Sequence, residues 1–460
     1  MPAPKPWQSI DPQMSYLKDF LDKVETEQEK IEYYKYINIF KLVKQFAIEN
    51  HLIMYGGIAI NELLPKTKKI YGPYDLPDYD MFSSTAKQDA IKLGKYLVSH
   101  NIQYVEVKNG IHKGTFKVFA EFKSVADITQ INRNLYSYLL HESKNNPKET
   151  FSDPLLHIVP ITFIKWSFHK ELASPESSIY RWEKIFKRYL IFEKLHSFPK
   201  ISSSLQSEYK DPIATDVLHQ LNDIIKTMQY PLTGPFAINL HQSKKKPHYI
   251  ADTYISSFEI LSENLEDDKN YFMSLLNIPS NYKIKLVYRS SSPTHGDKYF
   301  IDILPPRIRF VLLNKSTKEQ YPILTIMKVS NNCFATTKKS GYVVGTLDTI
   351  LQTLYAYFMT YQFFMKGEER ELTSRKVLAQ IQKCNQTLNA NESKTRFSST
   401  CFGKQLTLLN VKKEMWNEKK FYYRPSEHKT PKTGRTKSAK TTNSQINENK
   451  VSETRDTKTK

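Results

Sequence analysis

The chain has 460 residues, 40% hydrophobic and 13% aromatic, which is enough for two or three domains with real cores. No apolar run approaches a transmembrane span, and the opening Met-Pro-Ala-Pro-Lys-Pro lacks the plan of a signal peptide, so neither a membrane span nor secretion is expected. A net charge of +20 points to a polyanionic partner, nucleic acid before lipid, and three scattered cysteines (Cys333, Cys384, Cys401) exclude a Cys-rich zinc site and suggest separate thiols in a reducing compartment.

Residues 1–12 are Pro-rich and expected to be extended. Helical spacing follows over 14–49, with Leu17, Phe20, Leu21 and Val24 on one stripe and Ile39, Phe40, Leu42, Val43 and Phe46 further on, a pattern that predicts core packing. Residues 52–55 form a short apolar run suited to a buried strand. Gly56 and Gly57 break it, and residues 58–64 read as a short helix stopped by Pro65. A strand that turns through glycines into a helix start presents outward N–H groups and a positive helix end, the makings of an anion site. The Pro/Lys/Gly loop 65–77 carries Lys66, Lys68 and Lys69, either reaching toward phosphate or RNA or simply solvated.

Asp78-Tyr79-Asp80 begins the next strand, and alternation puts both carboxylates on one face, where they repel unless a cation joins them. A helix is predicted over 85–100, then strands over 102–108 and 114–122 around a hairpin signal at Asn109-Gly110. The β-prone run 124–129 follows, with Asp127 its sole charge. Three carboxylates on neighbouring strands beside a phosphate-binding turn would hold two Mg²⁺ ions on a nucleoside triphosphate.

This order of a Gly-Gly helix start, an Asp-x-Asp strand and a later lone Asp resembles the DNA polymerase β-type nucleotidyltransferases. The wording of Tyr55 to Ile60, Pro77 to Phe82 and Val125 to Asp127 is similar to the poly(A) polymerase catalytic subunits of large cytoplasmic DNA viruses, over roughly residues 50–195. The resemblance implies an α/β (α+β) nucleotidyltransferase fold, a mixed sheet flanked by helices, with the catalytic lobe at 51–197 and the helical region 1–50 packed on it. It implies that Asp78 and Asp80 bridge two Mg²⁺ or Mn²⁺ ions, that Asp127 holds the one activating a hydroxyl, and that Gly56 and Gly57 seat the triphosphate of ATP. It further implies template-independent addition of AMP to RNA 3′ ends, in host cytoplasm at the viral factory or in the virion. A homodimer and a viral mRNA-processing partner belong to the same picture. Two other readings stay open: the same core acting on tRNA, a protein or a small molecule, and an inactive RNA-binding or processivity factor.

Two helices are predicted over 160–173 and 177–196. The second places Arg181, Lys184 and Arg188 on one face and Trp182, Ile185, Phe186 and Tyr189 on another, so those cations either meet the triphosphate or form a solvated face. After a Ser/Pro-rich link at 197–212, Gly234 to Asn239 echoes Gly56 to Asn61, and Ser257 to Ser262 echoes Asp78 to Ser83. A hairpin recurs near 292–296, and the strand Arg307 to Leu313 is expected where Asp127 would stand. These echoes predict a duplicated, degenerate lobe over 210–400 that has lost its acids, retaining Glu259 alone. The aromatic helix 347–366 reads as that lobe's core, with a lobe or dimer interface as the alternative. The Lys/Thr/Ser-rich stretch 424–460 reads as a basic disordered tail.

Overall fold

The structure, a computed structural model, describes residues 12–198, 211–242, 249, 255–289, 303–329, 332–390, 396–404, 407–417 and 420–425. The expectations for residues 1–11, for the hairpin near 292–296 and for the tail beyond Pro425 lie outside these residues. Met1–Pro425 forms one compact unit.

The first half folds in the order α1 (Pro12–Glu49), β1 (Ile53–Met54), α2 (Gly56–Leu63), β2 (Tyr79–Ser83), α3 (Ala86–Ser99), β3 (Glu106–Asn109), β4 (Thr115–Ala120), β5 (Lys123–Gln130), α4 (Arg133–Glu142), β6 (His157–Ile158), α5 (Ile161–Leu172), α6 (Pro175–Ser178) and α7 (Trp182–Leu195). The expected elements are present with ends shifted by a few residues, except that the single helix expected over 177–196 is broken: α6 and a 3-10 turn at Ile179–Arg181 precede α7, so Arg181 stands just before that helix. Only the second half of the α1 stripe packs as expected: Ile39, Phe40, Val43 and Phe46 are buried, whereas Leu17, Phe20 and Leu21 are exposed.

The second half continues with α8 (Pro212–Met228), β7 (Leu232–Thr233), α9 (Gly234–His241), β8 (Phe258–Ser262), α10 (Leu265–Leu275), β9 (Tyr282–Arg289), β10 (Arg307–Asn314), β11 (Gln320–Lys328), β12 (Phe334–Lys339), β13 (Tyr342–Gly345), α11 (Leu347–Phe364), α12 (Gly367–Ala390), β14 (Cys401–Phe402), α13 (Leu408–Asn417) and β15 (Tyr422–Tyr423). The two mixed sheets have the strand orders β15-β3-β4-β5-β2-β1-β6 and β14-β12-β13-β7-β8-β11-β10-β9. The last strand returns to the edge of the first sheet, with Tyr422 opposite Lys108.

The sheets share a topology. A two-residue strand runs antiparallel to the next (β1/β2, β7/β8), which runs parallel to the far strand of a three-stranded meander (β2/β5, β8/β11). Asp80 pairs with Asp127 in one ladder, and Glu259 with Thr325 in the other. The counterpart of Asp127 is therefore Thr325 on β11, not a residue of Arg307–Leu313. That strand is β10, the counterpart of β4. The meander of the second half spans more residues than that of the first, so an interval carried over from Asp80–Asp127 lands one strand early.

Helix α11 is buried from Leu347 to Tyr361. Its main neighbours are α5 of the first half and α12 of the second, so it forms a core and lobe interface, and its buried face is not available to a second copy. At this junction Asp348, fully buried, accepts from His169 Nδ1 (2.7 Å) and from Arg396 Nε and Nη2 (2.8 and 2.9 Å). Burial opposes the charge, but Arg396 first and then His169 hold the Asp348 carboxyl below its ordinary range. A second correction concerns the cysteines. Pairing of β12 with β14 sets Ala335 opposite Cys401 and brings Cys333 and Cys401 to a Cα separation of 5.4 Å, where they form a disulfide; Cys384 stays a buried thiol.

Removing one partner of a buried ion pair strands the other charge. Asp348→Ala is therefore expected to lower unfolding free energy by about 3–5 kcal/mol in denaturant titrations. In the wild type the folded pKa of Asp348 lies below the unfolded value. Its contribution is thus complete above the ordinary carboxylate pKa and is lost as the pH falls through the lower folded value.

Candidate active site

The corner between β1 and α2 is built on a positive backbone angle. Gly56 has φ +66°, left-handed backbone that side chains avoid, and a Cβ there would stand 2.6 Å from Asp80 Oδ2. Asp80 is held against the corner because Tyr55 N donates to the Asp80 carbonyl at 2.9 Å. Tyr55 is itself fixed: its ring stacks on Phe82 (3.8 Å between centroids, 7° between planes), and its hydroxyl meets Thr129 Oγ1 at 3.0 Å. At Gly57 a Cβ would overlap the Tyr71 hydroxyl and approach Arg188 Nη1 to 3.3 Å.

Asp127 stands beside Asp80 in the β2/β5 ladder, and Lys117 on β4 faces Asp127. Lys117 Nζ lies 2.7 Å from Asp127 Oδ1 and 3.8 Å from Asp78 Oδ2, and Ser124 Oγ donates to Asp78 at 3.4 Å. The structure thus brings Asp78, Asp80 and Asp127 to one place, with a lysine ammonium between two of them. Burial, then Asp78, then Asp127 push the Asp80 carboxyl up to about 7, while Lys117 and Arg181 pull it back. Burial likewise raises Asp127, against the pull of Lys117.

Three hard oxygen donors whose charges oppose one another fit a divalent cation in chemistry. Their oxygens are not gathered tightly around a common point. Among the described residues, the one group of His, Cys, Asp or Glu ligand atoms lying within 4.8 Å of one another is Glu176, Cys333 and Cys401, where the disulfide uses both sulfurs. Lys117 supplies part of the compensating charge that a metal would bring.

The three expected cations of α7 and its approach separate. Arg188 reaches the glycine corner and hydrogen-bonds Tyr71. Arg181 acts on Asp80 through its charge and lies 3.8 Å from Glu171 Oε2. Lys184 is exposed on the outer face of the helix. On the opposite face Ile185 and Tyr189 are buried, as expected.

Sequence reading passed over Lys117 and Tyr71. The signal for Lys117 was a lone cation in an otherwise apolar strand. Tyr71 carried none, because its place depends on how the 65–77 loop folds back. Asn61 Oδ1 accepts from Ile70 N (3.0 Å) and Tyr71 N (3.3 Å), and Lys69 Nζ donates to Asn61 O (2.6 Å) and Thr150 O (3.1 Å). Lys69 therefore ties the loop down near the end of α2 and is turned away from phosphate. A cavity of about 350 Å³ opens beside this loop, lined by Tyr33, Tyr71, Tyr74, Pro77 and Lys123.

Residues 41–178 match the family described as the poly(A) polymerase catalytic subunit. A protein of African swine fever virus (isolate Tick/Malawi/Lil 20-1/1983), provisionally assigned as a poly(A) polymerase catalytic subunit, is 29% identical over 177 residues. That alignment covers 37% of this chain and 35% of the relative, so the chain spans about a third of that relative's length. A protein of Acanthamoeba polyphaga mimivirus with the same provisional assignment is 24% identical over 361 residues, 71% of this chain and 56% of its own. The crystal structure of the Megavirus polyadenylate synthase has a similar fold, with TM-score 0.70 and 17% identity over 92% of this chain and 88% of that one.

The raised pKa of Asp80 carries a sign. In metal-free protein the charged form is disfavoured by folding, so its stabilising protonated state is lost as the pH rises through about 7. Asp80→Asn is expected to raise Tm in EDTA at pH 8, by about 2–4 °C for each kcal/mol relieved, and to raise it by a clearly smaller amount at pH 5, where only part of the interval between the ordinary carboxylate pKa and about 7 has been crossed. Equal Tm gains at both pH values would contradict the assignment.

Proposed function

Residues 41–178 match the poly(A) polymerase catalytic-subunit family, and from that premise we propose that the protein is a template-independent RNA nucleotidyltransferase that adds AMP from ATP to RNA 3′ ends. The observation that carries this reading is the Asp80–Asp127 pair in one ladder, with Asp78 linked to it through Lys117, beside a glycine-started helix. In the reaction the RNA 3′ oxygen bonds to the α-phosphorus of ATP as the bond to the β-phosphate oxygen breaks. Pyrophosphate leaves, and the hydroxyl proton passes to solvent.

Asp78, Asp80 and Asp127 would hold two Mg²⁺ or Mn²⁺ ions, which when bound supply charge to the phosphoryl oxygens and acidify the attacking hydroxyl. The rest falls to the chain itself. The N–H groups of Gly56 and Gly57 and the positive end of α2 orient the triphosphate, and Arg188 closes on it from α7. The Tyr71 hydroxyl covers Gly57 and must yield as the phosphates enter. Lys117 holds Asp127 and Asp78 in place until the cations take over its charge.

Domain bounds follow from the same reading: a helical region ending near residue 50, a catalytic lobe to about 197 and a degenerate lobe from about 210 to 400, with β15 completing the catalytic lobe's sheet. Within this proposal a homodimer and a viral mRNA-processing partner are the expected associations, and the host cytoplasm or virion the expected place.

Incubation with Mg²⁺, a short RNA and each NTP in turn tests the proposal. Long ladders with ATP alone are expected. Extension of tRNA only, or of nothing, would replace it with the other-acceptor or inactive-factor reading. Asp80→Ala should remove several kcal/mol of transition-state stabilisation, about a thousandfold in kcat, while oligo(A) binding measured by fluorescence anisotropy stays near wild type.

A further inference from the structure

The second lobe keeps the corner of the first but reverses its charge. Gly234 has φ +69°, and a Cβ there would stand 2.7 Å from Glu259 Oε2, just as Gly56 faces Asp80. Around that shared frame Ser257 and Thr325 stand where the first lobe has Asp78 and Asp127. Arg309 pairs with Thr325 as Lys117 pairs with Asp127, and Arg307, two residues earlier, shares its face. A site whose counterpart gathers three carboxylates here gathers guanidinium groups around one buried glutamate.

These cations face tyrosine rings as well as Glu259. Arg307, 7% exposed, donates to the Pro305 carbonyl at 3.4 Å and lies 5.4 Å over the Tyr357 ring. Arg309 Nη2 donates to the Tyr361 hydroxyl at 3.4 Å. Burial disfavours the Arg307 charge most, Tyr357 and Tyr361 support it, Arg309 and Arg289 oppose it, and the Glu259 carboxylate attracts both Arg307 and Arg309. The Arg307 guanidinium borders open space: a cavity of about 910 Å³ lined by Arg289, Arg307, Lys366 and the rings of Tyr361, Phe363 and Phe364. Asn134 at the start of α4 closes it from the first lobe, and among the described residues Glu369 is the single acid on its wall.

We propose that this cavity is a second, non-catalytic binding site for single-stranded RNA, in which Arg289, Arg307 and Lys366 hold phosphodiesters and Phe363 and Phe364 stack bases. The first lobe would meet phosphate through divalent cations held by carboxylates. The second lobe, with its acids replaced, meets phosphate through fixed guanidinium groups and needs no metal. Alternating cations and aromatic rings suit a single strand, whose bases are free to stack and whose backbone is tracked by charge. An acidic peptide would use the cations and leave the rings idle. The assignment of RNA rests on the proposed polymerase reading, and the site gives that reading a hold on the acceptor away from the reacting end.

The test uses the full chain with a 5′-fluorescein-labelled 20-nucleotide oligo(A). The double variant Arg289→Glu/Lys366→Glu, both positions exposed, should bind it about tenfold or more weakly, with a salt slope flatter by roughly 1–1.5, as expected for two lost phosphate contacts on a single strand. Phe364→Ala should weaken binding about fivefold or more. The ratio of kcat/KM for the 20-mer over that for a trinucleotide primer should fall in both variants. Unchanged affinity and an unchanged length preference, in variants whose melting curves match wild type, would overturn the site. Competition by poly-glutamate as effective as that by oligo(A) would overturn RNA as its ligand. If wild-type protein extends neither primer, the polymerase reading fails, while the anisotropy arm still decides on the site.

Discussion

The structure around the corner depends on keeping a half-buried carboxylate against a helix start. Asp80 cannot move away, because the two-residue β1/β2 ladder fixes its backbone and Gly56 leaves room for its side chain alone. Burial disfavours its charge, and Asp78 and Asp127 add repulsion from the same face. Such an arrangement is costly by itself, and the elements around it reduce the cost. The N-terminus of α2 points its dipole at the acid, Lys117 bridges two of the three carboxylates, and Arg181 adds a distant positive field.

The lobes are joined by an interaction of the opposite kind. Asp348 is fully buried and held below its ordinary pKa by Arg396 and His169, because both of its oxygens have close donors. Asp348 and the half-buried Asp80 differ in how completely they are paired. Asp348 has partners within its own fold and serves to hold α5, α11 and the segment around Arg396 together. Asp80 is left short of partners and is therefore receptive to a ligand.

Much of this was legible in the sequence. The glycine corner, the alternation of Asp78 and Asp80 and the isolation of Asp127 each depend on local spacing, and local spacing survives folding. The amphipathic α7 was legible for the same reason. What escaped depends on distances along the chain that are not fixed. The counterpart of Asp127 was sought one strand early because the second meander is longer. Tyr71 went unseen because Asn61 folds the loop back, and the Cys333–Cys401 bond because it needs the β12/β14 pairing. The front half of α1 shows a further limit: its apolar stripe has helical spacing, yet Leu17, Phe20 and Leu21 stay in solvent.

The duplicated frame also shows which parts of the motif bear on function. A left-handed glycine with an acid against it occurs in both lobes, at Gly56 with the half-buried Asp80 and at Gly234 with the buried Glu259, although the second lobe has Ser257 and Thr325 at the places of the other acids. The corner is therefore a requirement of the fold: a strand of two residues can turn into a helix there only through positive φ, and the space so left accepts a carboxylate. Its presence alone says nothing about catalysis. The differences lie at the second glycine, where Pro235 lacks the N–H that Gly57 offers, and at the flanking acids, replaced by Ser257 and Thr325. The informative residues are those that the fold did not need to keep. By that measure Gly57, Asp78 and Asp127 carry the argument for chemistry in the first lobe, and Arg307 carries the argument for direct phosphate contact in the second.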